Sequence, residues 1–179
     1  VSTLQMTSGG GTISGQGRLE LQGWIPDKYH FSLAGEGFQL INLSDLAIQV
    51  SPDLMIDGNF DTIRVRGSLG FPRVMIEDQT RSRVVNNSPD LVIVDRQSPA
   101  RQPSTLRHDI DVNLILKEQV LLNVAGLQAR IAGSLRLYSD AQQAITAQGR
   151  LFVERGRFST YGVSLDIERG DLYYAGVPL

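Results

Sequence analysis

The stretch Leu127-Gln128-Ala129-Arg130-Ile131-Ala132-Gly133-Ser134-Leu135-Arg136-Leu137 places an apolar or small residue at every second position. A period of two sends successive side chains to opposite faces of a strand, so the segment reads as a β-strand with one greasy face. Near its end stands a unit, Gly-x-Leu-x-[Leu/Phe/Val], that the chain uses four times: Gly17-Leu19-Leu21, Gly67-Leu69-Phe71, Gly133-Leu135-Leu137 and Gly149-Leu151-Val153.

The same pattern extends in both directions. Upstream, Ile110, Val112, Leu114 and Leu116 alternate with Asp109, Asp111, Asn113 and Ile115. Lys117-Glu118-Gln119 is then expected to turn the chain into Val120, Leu122 and Val124, forming a hairpin. Downstream, Ser139-Asp140 reads as a turn before Ile145 to Glu154, and Val163-Leu165-Ile167 and Leu172-Tyr174 close the chain. Toward the N-terminus, strand patterns cover 16–24, 29–34, 37–43, 45–50 and 53–57. Their connections are too short for helical crossovers, which predicts antiparallel neighbours. Asp57-Gly58-Asn59 turns into runs at 62–71 and 73–78. Residues 79–88 and 95–105 read as flexible polar loops flanking the apolar run Leu91-Val92-Ile93-Val94. Only Ser139 to Ala144 invites a short helical turn.

About a dozen strands with almost no helix leave a wide apolar surface to cover. A flat sheet of that kind would aggregate, so the choices are a sandwich, a closed barrel, or a sheet bent lengthwise around an apolar interior. Strand glycines mark bends and close backbone approach, which favours the third. The expectation is an all-β fold, a long antiparallel sheet bent into an apolar groove, with residues 1–179 as one domain.

Composition narrows the function. The 179 residues carry a net charge of −2 with a pI near 5.7, and no basic cluster points to nucleic acid. Basic charge is nearly all arginine, with Lys28 and Lys117 the only lysines, a bias the sequence alone does not explain. The absence of cysteine removes disulfides, thiolate metal sites and cysteine nucleophiles. No run approaches the roughly 18 apolar residues of a spanning helix, and the start at Val1 reads as an excerpt of a longer chain.

Catalytic chemistry finds little support. His30 and His108 lie in different segments, and Arg107-His108-Asp109 reads as a strand entrance with an exposed histidine rather than an oriented base. Asp57, Asn59 and Asp61 match the first positions of a calcium loop, but Thr62 stands where glycine is needed and Ser68 where the bidentate glutamate belongs. A hairpin turn is the simpler reading. Asp109 and Asp111 read as solvated residues of a polar face. Phe152, Phe158, Tyr161, Tyr173 and Tyr174 suit a groove rim or ordinary strand preference. No cofactor, no metal and no enzymatic activity are expected.

The closing stretch runs Gly156-Arg157-Phe158-Ser159-Thr160-Tyr161-Gly162-Val163-Ser164-Leu165-Asp166-Ile167-Glu168-Arg169-Gly170-Asp171-Leu172-Tyr173-Tyr174-Ala175-Gly176. It resembles the pattern G-x-[FY]-x-x-Y-G-x-x-L-x-I-x-x-G-x-[LI]-x-[FY]-x-G of the TamB C-terminal domain family, and Gly149 to Gly156 resembles the strand that leads into it. The resemblance implies an AsmA-like β-taco in a periplasm-spanning rod of the translocation and assembly module, anchored in the inner membrane by a helix outside this chain. It also implies the outer-membrane barrel TamA as partner, assistance to autotransporters and other outer-membrane proteins, and phospholipid movement.

The residues supply a mechanism of their own: aliphatic side chains on one strand face would hold acyl chains or client strands out of water. The expected lining is Leu19, Leu21, Leu46, Ile48, Val65 and Leu69, then Ile110, Val112, Leu114, Leu116, Val120, Leu122 and Val124, and finally Ile131, Leu135, Leu137, Leu151, Val153, Leu165 and Ile167. The guests considered are phospholipid and unfolded outer-membrane protein strands. The rival reading is a structural sandwich of a surface protein with a filled core.

Overall fold

The computed structural model describes residues 2–23, 25–77, 107–140 and 144–178. They form eleven strands: β1 Ser2–Ser8, β2 Gly11–Gln22, β3 Ile25–Glu36, β4 Phe38–Asn42, β5 Leu46–Gly58, β6 Thr62–Glu77, β7 Arg107–Val124, β8 Leu127–Ser139, β9 Ile145–Thr160, β10 Val163–Ile167 and β11 Gly170–Pro178. The described residues contain no helix. One sheet holds all the strands in the order β1-β2-β3-β5-β6-β7-β8-β9-β10, with β4 beside β5 and β11 beside β9. The expected loops at 79–88 and 95–105 and the run Leu91 to Val94 lie outside the described residues.

Three expectations need correction. The first is the hairpin at Lys117-Glu118-Gln119, because β7 runs unbroken from Arg107 to Val124 and only its register slips there. Tight hairpin turns need a positive φ, and none of these three residues supplies it at low cost. Three of the hairpin turns that do form use Gly9 and Gly10 between β1 and β2, Ala125 and Gly126 between β7 and β8, and Tyr161 and Gly162 between β9 and β10, all with positive φ. Second, β6 and β7 are parallel, whereas every other pairing is antiparallel. Residues 78–106 connect them, well beyond the dozen or so residues that a parallel crossover requires. Third, the breaks expected near residues 51–52 and 72 are register shifts inside the continuous strands β5 and β6. Such bulges bend and twist a strand without ending it.

Of the short helical turn expected at Ser139 to Ala144, positions 141–143 lie outside the described residues. Ser139 is still strand, the Asp140 N–H donates to the Ala144 carbonyl at 3.0 Å, and the Ala144 N–H donates to Asp140 Oδ1 at 2.8 Å. An aspartate closing a backbone turn with its own carboxylate is the local chemistry that favours Asp in turns.

Register makes the two faces chemically distinct. Cross-strand partners share a face, so one row can be traced from Leu4 through Gly15, Leu33, Leu54, Gly67, Val112 and Leu137 to Ala147, crossing eight strands. A neighbouring row on the same face runs Pro52, Leu69, Leu114, Leu135, Gly149 and Tyr174. The opposite face carries Arg64, Arg66, Asp109, Asp111, Arg136, Arg150 and Asp171.

Burial is graded across the apolar face. Val50, Val112 and Val120 on the inner strands are 5%, 8% and 7% exposed, whereas Leu19, Leu165 and Leu172 toward the edges are 53%, 58% and 53% exposed. Among the described residues no large side chain is fully buried. A filled sandwich would bury such residues, since packed interiors leave few voids, so the filled-core alternative finds no support in this burial pattern.

Candidate functional site

The apolar face is the candidate site. β2 brings Leu19 and Leu21 to it; β5 contributes Leu46 and Ile48; β6 contributes Val65 and Leu69. β7 supplies Ile110, Val112, Leu114, Leu116, Val120, Leu122 and Val124. β8, β9 and β10 add Ile131, Leu135 and Leu137, then Leu151 and Val153, then Leu165 and Ile167. The cross-strand register, with the period-two alternation inside each strand, puts all of these on one side of the sheet.

The same face holds residues that the expected lining left out. Phe31 and Leu33 on β3 pair with Ile56 and Leu54 on β5, and Phe71 and Val74 on β6 pair with Leu116 and Val120 on β7. Their alternation is visible in the sequence, but Pro52 and Pro72 suggest breaks and so obscure that β5 and β6 continue. Near the C-terminal edge, Ile131, Leu151, Val153 and Leu172 line a small depression of about 250 Å³ together with Phe152, Gly170 and Asp171.

Glycines let the strands approach closely beneath this face. Gly133 and Gly149 have φ of +130° and +147°, in a region that residues with a side chain rarely adopt. Gly67, at the head of a third copy of the repeated unit, has φ of +130°. Three of the four repeated units therefore open on a backbone conformation suited to glycine, at points where strand backbones meet.

The opposite face is held together by ion pairs between neighbouring strands. Arg64 on β6 reaches Asp57 on β5 at 2.9 Å and Asp109 on β7 at 3.0 Å, and Arg66 reaches Asp109 at 3.0 Å. Arg136 on β8 grips both oxygens of Asp111 on β7 at 2.7 Å. Arg150 on β9 meets Asp171 on β11, which also accepts from Arg169, and Arg157 meets Asp166 on β10 at 2.8 Å. Hydrogen bonding from Arg136 holds the Asp111 carboxyl below the usual carboxylate range, and Arg150, followed by Arg169, does the same to Asp171. The Arg64 guanidinium is pushed up by its hydrogen bonds to Asp109 and Asp57.

This ladder gives six of the fifteen arginines a role that suits arginine better than lysine. A planar guanidinium engages a carboxylate through a rigid fork of two donors while its flat face stacks on a ring, a geometry the compact lysine ammonium does not offer. Arg136 lies over the Tyr138 ring at 5.5 Å, and Arg150 lies over both Phe152 and Tyr173 at 5.4 Å. Phe152 and Tyr173 thus belong to the polar face, whereas Phe158 and Tyr174 register with apolar partners or glycine on the other.

The remaining candidates from the sequence resolve individually. Asn59 Oδ1 accepts from the Asp61 and Thr62 N–H groups at 3.0 and 2.9 Å, and Asp57 is engaged by Arg64, so this segment is an Asx-closed hairpin turn. His108 is half-buried in β7, opposite Ile63 on β6, rather than exposed as expected. Two residues before Ile110, it shares the apolar side of the strand. Among the described residues no group of three His, Cys, Asp or Glu side chains is placed to hold a metal, and no helix is long and apolar enough to cross a membrane.

A protein-family model described as the TamB C-terminal domain matches residues 2–179.

Proposed function

The chain belongs to the TamB C-terminal domain family, a family of envelope transport and assembly within the translocation and assembly module, and we propose that its apolar face shields phospholipid acyl chains in transit toward the outer membrane. The observation that carries this reading is the continuous apolar row from Leu4 to Ala147, combined with the lack of any fully buried large side chain among the described residues. An acyl chain resting on such a surface leaves water at about 0.8 kcal/mol per methylene, roughly 12 kcal/mol for sixteen carbons. Apolar contacts are non-directional, so a guest slides along the face and no reacting group is required. In this reading the chain acts in the periplasm as part of an inner-membrane-anchored protein, with the TamA barrel as its outer-membrane partner.

Native mass spectrometry of the purified chain, with and without Leu114→Arg, tests the proposal. Leu114 sits mid-row between Leu69 and Leu135. Bound phospholipid that disappears in the variant, with the β-signal of circular dichroism retained, supports the reading; phospholipid retained by a folded variant overturns it.

A second reading draws on the sheet edges. β1 at one end and β10 and β11 at the other each pair on one side only among the described strands. Such edges can accept an extended client strand by backbone pairing. Site-specific crosslinkers distinguish the two: capture of outer-membrane protein at Leu4 or Leu165 favours client handling, and capture of lipid at Leu114 favours the conduit.

A further inference from the structure

On the polar face one group of arginines departs from the pairing that holds the ladder. Arg130 on β8 and Arg155 on β9 are direct cross-strand partners, and the row continues through Leu121 on β7 to Met75 on β6. Arg73 lies two residues before Met75 and so shares its face. Like charges directly opposite one another destabilise a sheet. Arg64, Arg66, Arg136, Arg150, Arg157 and Arg169 each meet an aspartate. Among the described side chains, which do not include that of Glu118, no hydrogen bond or ion pair engages Arg73, Arg130 or Arg155. The surface is also concave here: a cleft of about 690 Å³ crosses β6 to β10, with Met75, Glu77, Leu121, Arg130 and Arg155 in its lining. A second cleft of about 490 Å³ beside it is lined by Arg73, Gln119, Leu121 and Arg130. Arg157 and Asp166, also in the lining of the larger cleft, neutralise each other, so among the described side chains Arg73, Arg130 and Arg155 stand against the carboxylate of Glu77 and leave the strip with an excess of positive charge.

We propose that this strip docks an acidic polypeptide segment, whose carboxylates engage Arg73 and the Arg130/Arg155 pair while an aliphatic side chain rests on Met75 and Leu121. From β6 to β9 is three strand intervals, roughly 14 Å, which four residues of extended chain span at about 3.3 Å each. A single phosphate is too small to bridge that distance. An anionic membrane surface draws on a broad basic face, and the surrounding arginines are already neutralised by aspartates. Carboxylates about four residues apart with an apolar residue between them fit the charge, the spacing and the exposed Leu121, which is 43% accessible. The bidentate donors of arginine suit carboxylate recognition. The proposal is independent of what the apolar face carries.

The test uses the whole chain and a fluorescein-labelled extended peptide with two glutamates four positions apart and a leucine midway, followed by fluorescence anisotropy. Arg130→Gln with Arg155→Gln should weaken binding roughly tenfold or more, because removing charge-assisted hydrogen bonds is costly. Lys28→Gln, a charge change on β3, should leave the affinity as it was. The double variant should melt at the same or a higher temperature, since facing like charges have been removed. Four results overturn the proposal: affinity unchanged in the double variant, equal binding of a peptide with lysines for glutamates, inorganic phosphate or phosphatidylglycerol vesicles competing better than the peptide, or a lowered melting temperature that marks the arginines as structural.

Discussion

Gly133 and Gly149 are reciprocal across the β8–β9 ladder: a Cβ on Gly133 would collide with the Arg150 carbonyl oxygen, and a Cβ on Gly149 with the Ser134 carbonyl oxygen. Ser134 and Arg150 are themselves cross-strand partners, flanked by the two glycines. One close approach of the two backbones is thus secured from both strands. Its sequence signature is the repeated Gly-x-Leu unit.

Alanine at either glycine should therefore be costly. Both positions combine positive φ with a backbone collision, so Gly133→Ala and Gly149→Ala should each lower stability by about 2 kcal/mol or more in urea unfolding. Gly15→Ala is the contrast, because its added Cβ meets the Leu33 side chain at an ordinary 3.5 Å. That change should fall within about 1 kcal/mol of the parent. Equal effects at Gly15 and Gly133 would contradict the close-approach account.

The parallel pairing of β6 with β7 can be read out chemically, since the chain has no cysteine of its own. Val65 and Ile110 are Cα partners on the apolar face. Val65→Cys with Ile110→Cys should oxidise to an intramolecular disulfide, because cross-strand neighbours fall within the narrow range of Cα separations a disulfide bridges. Val65→Cys with Leu122→Cys should stay reduced. An antiparallel β6–β7 pair would change which combination crosslinks.

Charge placed on the apolar face should act differently at its centre and its edge. Val112 is 8% exposed and Leu172 is 53% exposed. Val112→Asp should destabilise the fold by about 3 kcal/mol or more, because a buried carboxylate there has no partner. Leu172→Asp should leave the melting temperature within a few degrees of the parent while reducing bound lipid. Thermal unfolding measured alongside lipid content separates the two effects.

Acid should weaken the sheet through its arginine ladder. Asp111 and Asp171 have folded pKa values lowered chiefly by hydrogen bonds from Arg136 and Arg150, respectively. A depressed folded pKa contributes stability that is fully present above the unfolded value, about 3.9 for aspartate, and is lost as pH falls through the lower folded value. The melting temperature should therefore be flat from pH 7 to about 5 and drop below about pH 4. Asp111→Asn should flatten part of that drop; an identical acid profile would remove Asp111 from the explanation.

The strands were legible in the sequence because side-chain alternation is local: Ile110 to Leu116 shows its faces without reference to any partner. The turn expected at Asp57-Gly58-Asn59 was legible in part: Asn59 closes it through its own side chain, whereas Asp57 and Gly58 are the last residues of β5. Lys117 to Gln119 misled because polarity alone resembles a turn; that a parallel neighbour and β8 would hold β7 straight past this point could not be seen locally. The repeated glycines announced close approach, but which backbone each one meets depends on register.

The sequence by itself determined an all-β chain with a greasy and a wet side to each strand, and the family to which its closing motif points. Only the tertiary structure decided that β6 and β7 run parallel, that the apolar sides of strands far apart in the chain join into one surface, and that Arg130 faces Arg155 while Arg136 faces an aspartate. The physical reason is that alternation is set by backbone geometry over two residues, whereas partner, direction and register are set by interactions between segments many tens of residues apart.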